Sequence, residues 1–488
     1  MAIINKIVSG KYFAVLAITI FVTTGTINAA ELEEIIVTAQ KRAESLQDVP
    51  ISVTTLAGVK MQQAGINKIE DLQQFVPNLQ MTETGISTQV YIRGIGTGNS
   101  QGFEQSVGQY IDGIYYGRQQ LIRAPFLDLE RVEVLRGPQS ILFGKNSIAG
   151  ALNMTSAKPT EELSGYIQLN YESEYSTREA LVAVSGALTD TVKGRLAIRS
   201  YDTDGYVENT FLNSDEPERD DLAIRGILQW DVTDDLDMTL KLERDTFDTT
   251  GRQIEIIRDD PALAGSPIPG ANYNVILGLL GHPGAITESK LDFERQAGGF
   301  GVKESSDNEL ENLTLTINYN LGKNTLTSVT GFVSYEFLEL CDCDYVAAPV
   351  FSVVLDEEYD QFSQEFRLTS PGGENIDWVA GVFFQTSELD FADRIVIPSN
   401  SVLGLVSGGA LAPIRSTQVA RDFSSDSDLW AVFGQLTWNI QDNLRLTLGA
   451  RFTSEEKDGS RKVSVIDTAT GTPSNPLLGA PTIYEAVF

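Results

Sequence analysis

Only two of the 488 residues are cysteine and one is histidine. Two cysteines exclude a disulfide-built scaffold. A single histidine, His282, excludes most His-based catalytic triads and leaves any metal centre short of ligands, so no metal-binding set and no cofactor are expected. Basic residues are scarce too: 36 Lys and Arg stand against 67 Asp and Glu, a net charge of −31. That charge repels a phosphate backbone, so a nucleic-acid partner is not expected. Beyond the leader there is no run of about 18 apolar residues, which removes a transmembrane helix and leaves a soluble exported protein or a β-barrel. No G-x-S-x-G, H-E-x-x-H or P-loop pattern occurs, and no catalytic residue is assigned.

The cysteines stand as Cys341-Asp342-Cys343, readable as a soft-metal pair, a small disulfide clip or two idle thiols. Gly94-Ile95-Gly96-Thr97-Gly98 has the wrong spacing for a dinucleotide loop and opens no helix, so it reads as a glycine-rich turn.

What is present begins with a leader. Lys6 and Lys11 precede an apolar run from Tyr12 to Val22, and Ile27-Asn28-Ala29 supplies a small-residue cleavage site. Residues 1–29 are therefore expected to be a signal peptide, cut after Ala29 or Ala30. Behind it lie Glu33, Glu34, Ile35, Ile36, Val37, Thr38 and Ala39, an acidic and then β-branched segment with no neighbouring core in sequence to claim it. Such a segment favours extended backbone and can add to the sheet edge of another protein.

Residues 45–158 mix short helical patterns (Leu56 to Ala64, Ile69 to Val76 before Pro77) with strand-like runs at Val90–Ile92, Gln109–Ile111, Arg131–Leu135 and Ala151–Met154. This predicts a small α+β domain. From 159 to 488 the pattern becomes long alternation. Leu313, Leu315, Ile317, Tyr319 and Leu321 alternate with Thr314, Thr316, Asn318 and Asn320, which suits a strand facing lipid on one side and water on the other. Eleven such strands are expected, at 163–172, 180–188, 192–202, 220–232, 235–247, 311–321, 324–338, 359–370, 375–388, 427–440 and 442–457. Their links alternate tight turns with long loops, the outer-membrane barrel arrangement with the long loops outside the cell. Trp230, Trp378, Trp430 and Trp438 fall on these strands, where interfacial girdles need them. Bacterial single-chain barrels close with an even strand number, so the count reads as part of a barrel. Phe488 imitates a terminal aromatic, but Pro481 interrupts its approach.

The most specific stretches are Tyr91-Ile92-Arg93-Gly94-Ile95, Tyr110-Ile111-Asp112-Gly113-Ile114 and the run from Leu129 through Arg136-Gly137-Pro138-Gln139 to Gly144, preceded by Gln47-Asp48-Val49-Pro50-Ile51-Ser52-Val53. Here the chain resembles the plug domain of TonB-dependent outer-membrane receptors. The resemblance implies an α+β plug followed by an antiparallel transmembrane β-barrel of about 22 strands, of which about half would be present. It implies that residues 30–44 carry the TonB box (33–39) and a linker, and that TonB pulls on the box from the periplasm. It also implies a small-molecule cargo, most often a ferric siderophore, with cobalamin and carbohydrate as others, and a place in the lipid of the Gram-negative outer membrane. By the same resemblance Arg93 and Arg136 would lock the plug to barrel glutamates such as Glu365, which the alternation of its strand places in the lumen. A transport-inactive receptor fragment is the alternative expectation.

Overall fold

The computed structural model describes residues 36–474, apart from 39, 84–87, 99–103, 210–213, 255, 257, 261–271, 282–303, 347, 407–410 and 442. The expected leader, Glu33, Glu34, Ile35, Ala39, His282 and Phe488 lie outside the described residues.

A two-residue ladder joins β1 (Ile36–Val37) to β2 (Glu44–Ser45). Next, β3 (Ser52–Ala57) leads into α1 (Gly58–Gln63), and a 3-10 turn spans Ile69–Gln74. Leu56 and Ala57 thus belong to a strand rather than to the helix expected from 56. Their neighbours Thr54 and Thr55 are β-branched, and the β9 ladder recruits them. Then β4 (Leu79–Glu83), β5 (Thr88–Ile92) and β6 (Ile95–Gly96) form a three-stranded antiparallel sheet. A five-stranded sheet in the order β3-β9-β10-β7-β8 adds β7 (Val107–Ile111), β8 (Ile114–Tyr115), β9 (Leu129–Arg136) and β10 (Gly150–Ser156). Arg93-Gly94 and Asp112-Gly113 have positive φ at both residues (55° and 78°, 51° and 86°), the tight hairpin geometry that links β5 to β6 and β7 to β8.

The five-stranded sheet is buried on both faces, which explains why β9 reads as a continuous rather than an alternating buried run. Val132, Val134, Leu152 and Met154 pack with Met61, Ile69 and Leu72 on one side. On the other, Leu135 and Ala151 join Val37, Val379 and Phe433, so that face belongs to a core shared with the barrel wall.

The wall is one antiparallel sheet of eleven strands, each paired with its neighbour in chain order. They are β11 (Ser164–Glu172), β12 (Thr177–Ala187), β13 (Val192–Thr203), β16 (Glu218–Thr233), β17 (Leu236–Thr250), β18 (Ser305–Leu321), β19 (Asn324–Cys341), β20 (Ser352–Thr369), β21 (Ile376–Ile397), β22 (Thr417–Gln441) and β23 (Leu444–Asp467). A hairpin of β14 (Val207–Asn209) and β15 (Ser214–Glu216) stands in a long loop. All eleven expected strands are present, and most run further than the alternation reached. For instance, β22 starts at Thr417 rather than 427 and β18 at Ser305 rather than 311. Those added ends keep their ladder pairing with a long neighbour, and inward residues on them such as Leu310, Leu389, Ile395 and Val419 are buried in a core cluster. Outward residues such as Leu222, Ile224 and Leu228 are exposed, while Ala223, Arg225 and Ile227 between them are buried.

Trp230, Trp378 and Trp438 project outward close to the short turns, the position of an interfacial aromatic girdle. At the long-loop end Leu277, Val346, Ala348, Val350 and Val402 pack together. Leu277 comes from α2 (Tyr273–Leu279), whose N-cap Asn272 accepts from Val275 N at 2.9 Å. Cys341 and Cys343 are joined in a disulfide where β19 enters this loop cluster, which selects the clip among the readings of that pair.

Candidate functional site

The segment that looks free in sequence is strapped down. Val37 is fully buried between the plug sheet and the barrel residues Val379 and Phe433, and its backbone pairs with Glu44 of the same chain. A core distant in sequence claims it, which corrects the expectation of a handle with free edges. The backbone N–H of Thr38 donates to Glu133 Oε1 at 2.8 Å. That carboxylate, wholly buried in β9, also accepts from Arg131 Nε at 2.8 Å and Asn153 Nδ2 at 3.0 Å. A buried carboxylate needs several donors, and the strap supplies one of them.

Two cations after the box tie the strap to the wall. Lys41 Nζ stands 3.5 Å from Glu365 Oε2 on β20. Burial pushes the Lys41 ammonium below its ordinary range, and Glu365 pulls it back up without cancelling the effect. Arg42 donates to the carbonyl of Trp378 at 3.0 Å and to Ser370 Oγ at 3.4 Å, and lies 3.9 Å from Asp377. These anchors flank the short turn between β20 and β21, so the strap is held at the short-turn end of the wall.

The expected lock is only partly recognisable. Glu365 is in the lumen, as its alternation required, but its partners are Lys41 and Arg367. No described ion pair joins it to Arg93 or Arg136. The Arg93 guanidinium lies over Gly137, 3.5 Å from where a Cβ would stand. Arg136 donates to the Pro77 carbonyl at 3.3 Å, and its Nε is buried without a hydrogen bond. Both arginines sit where β5 and β9 end, whereas Glu365 faces the strap.

Other pairs carry the plug–wall contact. Arg118 grips Glu357 of β20 through Nε and Nη2 at 2.8 and 2.9 Å. Asp128 receives Arg195 of β13 through two bonds of 2.6 Å. Asp112, in the Tyr-Ile-Asp-Gly hairpin, receives Lys241 of β17 at 2.7 Å and Ser156 N and Oγ at 2.9 and 2.7 Å. Lys145 bridges Glu104 and Glu455 of β23 at 2.7 and 2.5 Å. Part of this was accessible to sequence reasoning: the parity that places Glu365 inside also places Glu357 inside, and Lys241 stands on the polar side of its strand. Nothing in the sequence pairs either with its plug partner.

Asp112 yields a pH prediction. Burial alone would raise its carboxyl, but Lys241, Arg225 and the Ser156 N–H outweigh burial and hold it down at about 2. Because the folded value is depressed from an ordinary 3.8, its contribution is present above that value and is lost as pH falls through about 2. Plug docking should therefore hold from neutrality to about pH 4 and lose roughly 2 kcal/mol below it. Asp112→Asn should flatten that fall, read as the urea midpoint of plug unfolding against pH.

Two family models match in chain order: the TonB-dependent receptor plug domain over residues 45–151 and the TonB-dependent receptor-like β-barrel over residues 258–477. An iron-regulated outer membrane virulence protein of Vibrio cholerae is 30% identical over 172 residues, 33% of this chain and 26% of the relative. The ferripyoverdine receptor of Pseudomonas aeruginosa is 29% identical over 226 residues, 44% of this chain and 26% of the relative. The match thus spans about a quarter of these relatives' length. The ferric yersiniabactin uptake receptor of Yersinia pestis superposes with TM-score 0.65 at 17% identity, covering 85% of this chain and 61% of that one. A mixed sheet strapped inside an antiparallel wall, with both models met in that order, places this chain in the TonB-dependent receptor family, whose members are transport receptors and not enzymes.

Proposed function

We propose that the protein imports a ferric siderophore across the outer membrane of a Gram-negative cell, with TonB supplying the energy. The observation that carries this reading is the strap: Val37 of the box segment sits in the core and Thr38 binds Glu133, while Lys41 and Arg42 bind the wall. A coupling segment has to be held until it is needed and has to release by breaking few contacts. In this reading residues 1–29 are the cleaved leader, 30–44 the TonB box and linker, 45–158 the plug and 159–488 the membrane wall. Glu33, Glu34, Ile35, Ile36, Val37, Thr38 and Ala39 pair with TonB as an added strand. Arg93 and Arg136 act as plug anchors. The iron cargo is supported by the relatives, whose names refer to iron regulation, ferripyoverdine and ferric yersiniabactin.

The test is uptake of radiolabelled iron by cells carrying the full-length natural gene, supplied in turn with ferric pyoverdine, yersiniabactin and ferrioxamine B. Uptake of at least one, lost on deletion of TonB, is expected. Expression induced only by a sugar, with none of the three imported, would overturn the iron reading. A peptide of residues 31–40 should also capture the TonB C-terminal domain, and Val37→Pro should abolish capture by removing a ladder donor. Capture unaffected by proline would count against strand pairing.

A further inference from the structure

A groove of about 390 Å³ is sunk into the outward face of the wall across β12, β13, β16 and β17. Its sides are Val184, Leu188, Leu196, Leu228, Leu240 and Leu242, on the side of the strands away from the lumen. Its floor is Gly186, Gly194 and Gly226. Register sets Gly186 directly across from Gly194, and Leu196 across from Gly226, so the floor steps from β12 through β13 to β16. Two polar residues border the groove, Ser185 and Arg195, and both turn their side chains away from it. Arg195 holds Asp128 of the plug, and the buried Ser185 Oγ accepts from Thr160 N at 2.8 Å.

None of the three floor glycines has the positive φ that would reserve its position for glycine. Backbone shape is therefore not what requires them, and glycine weakens the interior of a strand. Packing within the chain does not require Gly226 either, because a Cβ built there meets nothing within 4 Å. At Gly194 the three nearest atoms would belong to Leu188 and Leu228, the side chains that flank the groove, the nearest at 3.1 Å. Only Gly186 lies close to main chain, 3.2 Å from Leu163 Cα. The chain has thus left open a space that it does not itself use, and a strand glycine of this kind marks the close approach of something else.

We propose that the groove seats one acyl chain of a phospholipid of the periplasmic leaflet. The groove is continuous with the lipid-facing surface of the wall, so lipid already reaches its mouth. Trp230 stands across from Val192 and Met238, one outward row nearer the short turns than Leu228. That places the groove just inside the aromatic girdle on the periplasmic side. No side chain that lines it toward the lipid is polar. A protein partner would find nothing there to fix its register by hydrogen bond or charge, whereas a methylene chain is held by dispersion contacts on three sides. Surrounding lipid is as apolar as leucine, so the preference comes from packing alone and is moderate. The proposal rests on residues 159–488 being a membrane wall, and on neither the cargo nor TonB.

Photolabelling tests it. The full-length receptor is placed in vesicles of phosphatidylethanolamine and phosphatidylglycerol with a trace of phosphatidylethanolamine that carries a diazirine midway along one acyl chain. After illumination, label on each peptide is measured by mass spectrometry. Peptides covering residues 184–196 and 222–242 are expected to take about fivefold more label than those of β19 and β20 bearing Phe332, Phe362 and Phe366, outward residues that are also exposed to lipid. Gly226→Leu, which fills the floor from an open position, should bring that ratio to about one, and Gly226→Ala should bring it part of the way. The alanine variant decides the matter if the leucine variant does not insert. Even labelling of the natural protein, or a ratio that neither substitution changes, would overturn the proposal. So would an unlabelled groove whose filling dissolves receptor dimers, since the occupant would then be a second copy. A receptor that inserts and labels evenly sinks the groove alone, whereas one that does not insert sinks the wall reading and the groove together.

Discussion

Glu357→Ala should cost the plug roughly 3–5 kcal/mol of its attachment to the wall, the range for removing one partner of a buried ion pair. Glu357 is fully buried and the Arg118 side chain is 6% exposed. The guanidinium is gripped through two parallel bonds, the strongest geometry available to such a pair. Burial disfavours the charge on Arg118, and Glu357 more than restores it. The alanine variant would leave the buried Arg118 cation beside Tyr335 and Tyr359 without its two-bond grip on Glu357. The expected result is a large drop in the urea concentration at which β7 to β10 lose hydrogen-exchange protection, with the wall still folded. Arg118→Met combined with Glu357→Leu should recover most of the loss, because the apolar pair removes the desolvation cost together with the attraction. A single variant within about 1 kcal/mol of the natural protein would show that the pair does not hold the plug.

Lys41→Glu should release the strap. The substitution sets a second carboxylate beside Glu365, which Arg367 alone would then have to neutralise. The other anchors are the buried Val37, Arg42 on one carbonyl, one hydroxyl and Asp377, Thr38 against Glu133, Arg131 and Asn153, Gln40 against Gln435, and a two-residue ladder. Tryptic cleavage after Arg42 in the folded receptor should accelerate at least tenfold, equivalent to about 1.4 kcal/mol of local opening. Capture of the TonB C-terminal domain by cargo-free receptor should rise by a similar factor. Unchanged cleavage would mean that Val37 in the core, rather than the Lys41–Glu365 pair, keeps the strap in place, and Val37→Ala would then become the releasing variant.

The two results would separate two mechanical tasks of one lumen. Arg118–Glu357, Asp128–Arg195 and Asp112–Lys241 resist displacement of the whole plug. The strap contacts lie in a different place and can fail while those three persist.

How much of this could be read beforehand differs by element. Alternation in β16, β17, β18 and β23 was legible because lipid and water impose opposite demands on successive side chains. The same rule put Glu365 in the lumen correctly. It stopped short at 305–310 and 417–426, where the buried inward face is largely polar (Ser306, Asn308 and Thr417 beside Leu310 and Val419) and gives no apolar stripe to read. The helix at Tyr273–Leu279 was hidden inside a loop, since seven residues capped by Asn272 leave a weak periodic signal. The strap was misread for a different reason. Val37 and Thr38 are ordinary β-branched residues locally, and the burial of Val37 and the bond of Thr38 depend on Val379, Phe433 and Glu133, up to hundreds of positions away.

Sequence alone determined the export leader as an expectation, the division into a mixed domain and a run of membrane strands, the inward or outward face of each strand, and the family. All of these follow from composition, period and local motif, which need no knowledge of distant neighbours. Only the tertiary structure decided which charges meet across the lumen, that Glu365 holds Lys41, and that Val37 is buried in a distant core. Pairing in a barrel is set by strand register and by how the plug is seated inside it, and neither is encoded within reach of any one residue.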